Sequence, residues 1–187
     1  MEKKISSLKK LIEALNPDFK DVEVYTQAMR SLKLSVESIQ NHCSWREDFY
    51  TRNLVKKTKA YELMVLCWPS HQTSPIHNHQ GQDCWMHVIS GEITEIQYHC
   101  LKDEDSGAWR IKEGDRLTCR PSETAYINDK ICLHQICNNS DQPAITLHLY
   151  SYPIETCNIY CCKTGKVTSR KLSYSSVDEK AVIPNTQ

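Results

Sequence analysis

Three histidines and one cysteine have the residue types and the spacing expected of metal ligands. His77 and His79 are separated by one residue, Cys84 follows shortly after, and His134 lies much further along the chain. Side chains alternate across a β-strand, so in an extended segment His77 and His79 would project from one face. A third histidine could then reach the same ion from a distant strand. The spacing predicts a three-histidine metal site, with Cys84 as a candidate fourth ligand.

Such a site would suit an anionic substrate. Three neutral imidazoles contribute no negative charge, so the full charge of a divalent ion remains available to the substrate. Three histidines plus a water also describe a catalytic zinc site, so the residues alone leave zinc and iron open.

A second set of candidate residues lies on one predicted strand, residues 145–150. Alternation places Thr146, His148 and Tyr150 on one face and three apolar side chains on the other. A strand with one face in solvent would alternate in the same way. The three polar side chains can hydrogen-bond in series, however, and in a barrel lumen such a series would point the Tyr150 hydroxyl at the metal.

The elements that must position these residues are mostly short strands. From residue 50 onward, apolar stretches alternate with Pro, Gly, Asn and Asp, which is typical of a sandwich or a barrel. We predict turns at Gly114-Asp115 and at residues 138–141. The predicted strands are residues 61–68, 84–89, 92–100, 108–112, 117–120, 131–136 and 144–150.

The first forty residues have a helical pattern instead. One periodic segment precedes Asn16-Pro17, and a second follows it. We predict a single domain over residues 1–187, made of an N-terminal helical cap (1–45), a β-barrel (46–175) and a C-terminal tail (176–187). The apolar residues at helical spacing are Ile5, Leu8, Leu11, Ile12 and Leu15 in the first segment and Val24, Ala28, Leu32 and Val36 in the second.

Composition limits the class of partner. A chain of 187 residues is long enough for one compact domain and too short for two ordinary ones. Lysine plus arginine and aspartate plus glutamate both number 23, so the formal charge is zero. Nothing therefore suggests a sequence-independent hold on nucleic acid or on a membrane surface. We expect a small-molecule substrate and a monomer.

The ten cysteines do not indicate a disulfide framework. The N-terminus has the pattern of an amphipathic segment and not of a signal peptide, and no Cys-x-x-Cys pair occurs. We therefore expect a cytoplasmic protein with reduced thiols, most of them acting as small apolar side chains.

Several motifs follow one another in order along the chain. They are residues 50–55, Leu66-Cys67-Trp68, Ile76-His77-Asn78-His79, Cys84, residues 125–129, Leu133-His134 and residues 147–151. Together they resemble the thiol dioxygenases of the cupin superfamily, specifically the animal-type cysteine dioxygenases. The similarity runs from about Tyr50 to Cys157, and it implies an all-β, jelly-roll-like cupin barrel or sandwich. A glutamate ligand of many cupins is replaced by Cys84, which leaves the three-histidine site.

The resemblance implies an activity and a cofactor. It implies Fe(II) bound by His77, His79 and His134, and the oxidation of L-cysteine by O2 to L-cysteine sulfinate. A cationic site free of carboxylate would attract the substrate thiolate and lower the pKa of the thiol.

The resemblance also implies roles for residues outside the ligand set. Arg52 would hold the substrate carboxylate, a task suited to its planar and permanently charged fork, with Tyr50 beside it. Cys84 and Tyr150 would form a thioether crosslink that restricts the tyrosine. His148 and Thr146 would orient the Tyr150 hydroxyl.

Some residues depart from the family pattern. The family commonly has Ser-Pro-Pro after the tyrosine, with a cis peptide, whereas this chain has Ser151-Tyr152-Pro153. Asp83 replaces what is often a histidine. Cys157 resembles a residue near the mouth of the family's pocket.

Two kinds of alternative stay open at this point. A sibling enzyme would act on 3-mercaptopropionate or cysteamine, and a non-catalytic cupin would bind metal without turnover. Arg52 argues against cysteamine, which has no carboxylate.

Overall fold

The computed structural model describes residues 4–18, 20–102 and 109–181, and their dominant elements are two β-sheets. The helices are α1 (Leu8–Ala14) and α2 (Val22–Arg30), followed by a short 3-10 turn (Gln40–His42). The strands are β1 (Thr51–Lys57), β2 (Tyr61–Trp68), β3 (Ile76–His77), β4 (Cys84–Ser90), β5 (Ile93–Lys102), β6 (Trp109–Cys119), β7 (Thr124–Ile127), β8 (Leu133–Cys137), β9 (Ala144–Ser151), β10 (Thr156–Tyr160), β11 (Val167–Lys171), β12 (Ser176–Val177) and β13 (Lys180–Ala181).

The strands form a seven-stranded sheet and a six-stranded sheet. The larger sheet has the order β13-β12-β1-β2-β9-β4-β7, and the smaller has the order β11-β10-β3-β8-β5-β6. The two sheets are not closed into a barrel. The prediction of an all-β fold with an N-terminal helical cap is confirmed, in its sandwich form.

Both helices begin at side-chain caps. Ser7 accepts a hydrogen bond from the backbone N–H of Lys10, and Asp21 accepts one from Val24. Such caps satisfy backbone donors that have no partner inside the helix. The prediction of two helical segments is confirmed, but both helices are shorter than the periodic residues suggested.

The buried face of α2 differs from the predicted one. Tyr25, Ala28 and Met29 are buried, whereas Val24 and Val36 are exposed. Of the four residues at the predicted spacing, Ala28 and Leu32 are buried, and Tyr25 takes the place expected for Val24 because its large ring packs edge-on against Tyr61 and Trp85.

The central strands of the larger sheet are buried on both faces. One face packs against the N-terminal helices and the other faces the smaller sheet, and every residue of β2 and β9 is buried. This explains why β2 has an almost continuous apolar sequence. It also means that neither face of β9 is a solvent face.

The two strands predicted at residues 108–112 and 117–120 are parts of one continuous strand. Residues 109–119 form the continuous strand β6, so the turn expected at Gly114 is wrong. A Cβ at Gly114 would lie 2.8 Å from His99 Nε2, so this glycine permits a close approach to β5 and does not make a turn. Residue 108, the predicted first residue, lies outside the described residues.

The predicted C-terminal tail begins as part of the sheet. Residues 176–181 contain β12 and β13, and β12 pairs in parallel with β1. Residues 182–187 lie outside the described part of the chain. In that part, no helix has the length and apolarity needed to cross a bilayer.

Candidate metal centre and substrate cavity

The three predicted histidine ligands meet where strands β3 and β8 pair. His77 on β3 is the direct register partner of His134 on β8, and His79 follows β3 by two residues. One ring nitrogen from each of the three lies within 4.8 Å of the others, and the Nε2 atoms of His77 and His134 are 3.2 Å apart. Three imidazole nitrogens this close together can all coordinate one ion, so the cluster fits a metal ion.

The other ring nitrogen of two of these histidines is fixed by a neighbour. His77 Nδ1 donates to the Pro75 carbonyl at 2.9 Å, and His134 Nδ1 lies 2.6 Å from a Glu95 carboxyl oxygen. Carbonyls and carboxylates commonly hold the second nitrogen of metal-bound histidines and so set the tautomer. Burial raises the pKa of Glu95 to about 7. These contacts leave both Nε2 atoms free for a metal.

His79 has an unsatisfied imidazole. Its backbone N–H donates to Asp129 at 2.7 Å, and its ring Nδ1 lies 3.7 Å from the same carboxylate. Among the described residues, neither buried ring nitrogen of His79 has a hydrogen-bond partner. Buried polar atoms without partners are rare and costly, so this imidazole also fits a metal ligand.

Burial keeps two of the three histidines, His77 and His134, neutral. Burial, and secondarily the nearby His79, lowers the pKa of His77 to about 3, and the pKa of His134 is also lowered by burial. Neutral imidazoles do not have to lose a proton before they bind a metal.

Cys84 is absent from this cluster, among the residues that the structure describes. It lies on β4, and its register partner on β9 is Tyr150. Its sulfur is 4.0 Å from His148 Nδ1. Burial raises the pKa of this thiol. The structure therefore places Cys84 beside Tyr150 and not among the candidate ligands.

The predicted polar series on β9 forms as expected and includes one further residue. Trp68 Nε1 donates to Thr146 Oγ1 at 2.9 Å, and Thr146 Oγ1 lies 2.9 Å from His148 Nε2. His148 Nδ1 lies 3.3 Å from the Tyr150 hydroxyl. Burial lowers the pKa of His148 to about 3, so its ring is neutral and has one donor and one acceptor nitrogen.

The first hydrogen bond of the series has a fixed direction, because an indole N–H can only donate, so the Thr146 oxygen accepts from Trp68. The tautomer of His148 sets the direction of the other two. In the tautomer with its proton on Nδ1, His148 accepts from Thr146 at Nε2 and donates to the Tyr150 oxygen. In that tautomer Tyr150 keeps its own proton available for a group in the cavity.

A cavity of about 390 Å³ opens onto the three histidines. Tyr150 and His148 line it, and so do the predicted substrate residues Arg52 and Tyr50. Cys157 also lines it, as its predicted place near the mouth requires. One cavity therefore brings the candidate ligands, the Tyr150 hydroxyl and a guanidinium together.

Arg52 is held at the cavity wall without an acidic partner. Its Nη1 donates to the Ser173 carbonyl at 3.1 Å, and its guanidinium lies 5.8 Å from the centre of the Tyr174 ring. Tyr174 in turn donates to the buried carboxylate of Glu62. No ion pair of Arg52 occurs among the described residues. Its charge is thus available to an anion in the cavity.

Tyr50 is fixed by stacking. Its ring stacks on Trp68 at 4.4 Å between centroids, and Phe49 stacks on its other side at 4.7 Å. Burial raises the pKa of Tyr50, so the phenol is neutral. It lies just before β1, two residues from Arg52, and both side chains line the cavity.

Sequence reasoning gave no role to Trp68, Glu95 or residues 172–175. Trp68 was part of a motif, but its partner Thr146 lies on another strand. Glu95 offered a signal that was not used, since it is a lone acid in an apolar stretch of β5. Of residues 172–175, residues 173–175 contact Arg52 across more than a hundred residues of chain.

The peptide bond between Ser151 and Tyr152 differs from the family pattern, in which the corresponding bond is cis. No cis peptide bond occurs in the described residues, and Tyr152 has a positive φ of 63°. The chain leaves β9 through this left-handed residue.

Comparison with known proteins gives a consistent result. The sequence model of the family "Cysteine dioxygenase type I" matches residues 2–163. Cysteine dioxygenase type 1 from Homo sapiens is 32% identical over 176 residues, which cover 91% of this chain and 86% of the human protein. The Rattus norvegicus protein of the same name is 33% identical over 178 residues, with the same coverage. Among solved structures, a cupin superfamily protein from Desulfitobacterium hafniense matches at 10% identity with a TM-score of 0.43, covering 59% of this chain and 84% of that chain.

Proposed function

The chain belongs to the cysteine dioxygenase type I family, and we propose that it oxidises L-cysteine with O2 to L-cysteine sulfinate. The observation that carries the proposal is the shared cavity, which combines a three-histidine cluster with the unpaired guanidinium of Arg52. A thiol with a carboxylate a few atoms away fits these two groups at once.

We propose Fe(II) as the metal, held by His77, His79 and His134. The proposal rests on family membership, because the ligand set alone also suits zinc. When bound, Fe(II) supplies the redox chemistry that joins a thiolate and O2. The neutral ligands leave the positive charge of the ion uncompensated, which favours the thiolate form of the substrate.

Arg52 is the proposed carboxylate site, and Tyr50 supports it. A guanidinium can engage a carboxylate with two parallel hydrogen bonds, and it stays charged at any working pH. The Ser173 contact and the Tyr174 ring fix its orientation before the substrate arrives. Substrate held at both ends has few orientations left, which lowers the entropy lost on reaching the reactive geometry.

Tyr150 is the proposed hydrogen-bond donor at the end of the cavity where the substrate thiol reacts. We propose the His148 tautomer that accepts from Thr146 and donates to the Tyr150 oxygen, because it leaves the Tyr150 hydroxyl proton to point away from β9 and toward the cavity. Burial raises the pKa of this phenol well above its ordinary value, so the proton stays in place at physiological pH. The hydroxyl can hydrogen-bond to substrate or to O2.

A thioether between Cys84 Sγ and a Tyr150 ring carbon is the proposed protein-derived cofactor. Its formation breaks the Cys84 S–H bond and one ring C–H bond and makes one C–S bond. Two protons and two electrons are released, and O2, the co-substrate, takes them up as hydrogen peroxide. Support comes from the register pairing of the two residues on β4 and β9.

The test is sulfinate formation by the metal-loaded protein. Protein loaded with Fe(II) and a matched sample loaded with Zn(II) are given cysteine, 3-mercaptopropionate or cysteamine while O2 consumption is recorded. We expect sulfinate from cysteine with the Fe(II) sample only. Sulfinate from another thiol but not from cysteine would contradict the substrate assignment, and no thiol-dependent O2 uptake would contradict the enzymatic one.

The alternatives raised from the sequence are not favoured. The matched relatives are named cysteine dioxygenases, and the cavity contains the arginine that cysteamine does not need. The remaining expectations, a monomer in the cytoplasm, belong to the same proposal. Light scattering of the purified protein tests the first of these and cell fractionation tests the second.

A further inference from the structure

Asp83, the residue immediately before Cys84, is a carboxylate that the fold buries and surrounds with donors. It is 7% exposed. Tyr126 donates to Oδ1 at 2.6 Å, and Asn128 donates to the same oxygen at 3.2 Å. Lys20 donates to Oδ2 at 2.9 Å. Burial alone would raise the pKa of Asp83, but these hydrogen bonds outweigh it and lower the pKa, so the group is ionised.

Asp83 is also joined to Ser151, the residue that follows Tyr150. The Asp83 N–H donates to Ser151 Oγ at 2.8 Å, and the Ser151 N–H donates to the Asp83 carbonyl at 2.9 Å. Ser151 Oγ also donates to Asp83 Oδ2 at 3.2 Å. We call these three hydrogen bonds the Asp83–Ser151 clasp.

The clasp lies one residue beyond the pair that would be crosslinked. Cys84 and Tyr150 are direct register partners, and they are the last such pair at this end of the β4–β9 ladder. Beyond it, the chain turns away at Tyr152, whose φ is 63°. Strand ends fray where the ladder stops, so without the clasp the Cys84–Tyr150 pair would be the first to separate.

We propose that Asp83 is a positioning residue for the proposed thioether, because its clasp holds Cys84 and Tyr150 at the distance at which the bond can form. The inference rests on the proposed function, to which the thioether belongs. The contact with Lys20 extends the clasp to the N-terminal cap, since Lys20 lies between α1 and α2. The cap therefore contributes to maturation of the site although neither of its two helices lines the cavity.

Asp83→Asn is the variant that tests this role. An amide has one acceptor oxygen where the carboxylate has two, so the side chain can no longer accept from Tyr126 at one oxygen and from both Ser151 Oγ and Lys20 at the other. The variant thus removes the side-chain bond of the clasp and its link to the cap, and keeps the two bonds made by the Asp83 backbone. The matched control is Thr124→Val. Thr124 donates to the Met29 carbonyl at 3.1 Å and so also joins a cap helix to the larger sheet, but it lies opposite His87, at the other end of the β4–β7 ladder.

The first experiment follows crosslinking directly. The Fe(II)-loaded wild type, Asp83→Asn and Thr124→Val proteins are given cysteine and O2 and sampled after equal numbers of turnovers. Intact mass reports the loss of two hydrogens, and iron content and unfolding midpoint are measured in parallel. We expect an at least fivefold lower crosslinked fraction per turnover in Asp83→Asn at unchanged iron content, with Thr124→Val within twofold of wild type. Equal crosslinking in Asp83→Asn and Thr124→Val would overturn the inference, as would a wild type that oxidises cysteine without losing the two hydrogens.

The second experiment needs neither metal nor activity. In a Tyr150→Cys background, a thiol oxidant such as diamide joins the sulfurs at positions 84 and 150, and peptide mapping measures the rate. We expect added Asp83→Asn to slow this trapping several-fold and added Thr124→Val to leave it unchanged. An unchanged rate with Asp83→Asn overturns the inference even if the wild type proves inactive toward cysteine, which would by itself refute only the proposed function.

Discussion

Removal of the Arg52 charge is the perturbation that most directly probes substrate recognition. Arg52→Met replaces the arginine with an unbranched side chain about as long as its aliphatic part. The cavity wall therefore stays largely filled, and the guanidinium is lost. The contacts that remain nearby are neutral, namely the Ser173 carbonyl and the Tyr174 ring. The carboxylate of cysteine would then enter the cavity without its proposed partner, and the other cationic residues that line the cavity are Arg46, Arg170 and Lys171.

The size of the effect follows from the number of hydrogen bonds lost. A hydrogen bond to a charged group contributes about 1.5–3 kcal/mol. Arg52 is partly exposed, and one of its amino groups already donates to Ser173, so we count one such bond and not two. Since about 1.4 kcal/mol corresponds to a factor of ten, kcat/KM for cysteine should fall about 10- to 150-fold.

The assay compares two substrates that differ in the carboxylate. Initial rates of O2 consumption are measured over a range of cysteine and cysteamine concentrations with the wild type, Arg52→Met and Arg170→Met. Arg170 lines the same cavity and is the register partner of Cys157, so it controls for loss of a nearby positive charge. We expect Arg52→Met to lose the preference for cysteine, while any rate with cysteamine is unaffected.

Two results would refute this reasoning. A fall in kcat/KM for cysteine of less than threefold would mean that Arg52 does not bind the carboxylate. An equal fall in Arg170→Met would mean that the cavity attracts the substrate through its general charge and not through one specific arginine.

Three further predictions concern the crosslink, the metal and the pH dependence of stability. Tyr150→Phe should abolish the loss of two hydrogens seen by intact mass and lower turnover, with iron content unchanged because the hydroxyl is no ligand; loss of the iron would contradict its assigned place. Chelation of the metal should lower the unfolding midpoint, because an ion at 100 times its Kd stabilises the folded state by about 2.7 kcal/mol; an unchanged midpoint would mean that no ion occupies the site. Burial, and secondarily Lys33, lowers the pKa of His87 to about 4 in the folded protein, so the unfolded chain binds a proton at this ring at a higher pH than the folded protein does. Its contribution to stability is complete above pH 6.5 and is lost as the pH falls toward 4, about 2 kcal/mol by pH 5. His87→Gln should therefore lose less stability than wild type between pH 7.5 and pH 5 in denaturant titrations, and equal losses would show that His87 is not the group responsible.

The sequence predicted the part of the site that local geometry determines. Two histidines one residue apart share a face wherever the chain is extended, and alternation along β9 aligned Thr146, His148 and Tyr150 regardless of the rest of the fold. Both expectations needed only the two-residue period of a strand. The third histidine, His134, had to come from another strand, so its place beside the first two depended on the fold and not on local geometry.

The parts that were missed depend on long-range pairing. Glu95 reaches His134 only because β5 pairs with β8. Residues 172–175 form the wall around Arg52 only because the chain returns to β1 at its C-terminal end. The Asp83–Ser151 clasp likewise requires the register of β4 against β9. No local pattern carries these pairings, because a register is set by packing across the whole sheet.

Long-range contacts also explain where the predictions of the fold were wrong. Gly114 has the composition of a turn, yet it lies inside β6 because a neighbouring histidine on β5 occupies the space of its missing side chain. Val24 and Val36 have the apolar character of a core, yet Tyr25 takes the buried position on α2. In both places tertiary contacts outweighed local preference.

Isotope incorporation tests the central claim most directly. The Fe(II)-loaded protein is given L-cysteine under 18O2, and the product is analysed by mass spectrometry beside a Zn(II)-loaded control. We predict cysteine sulfinate with 18O at both sulfinate oxygens from the iron sample and no sulfinate from the zinc control. Formation of cystine alone, or sulfinate that carries only one 18O atom, would contradict it.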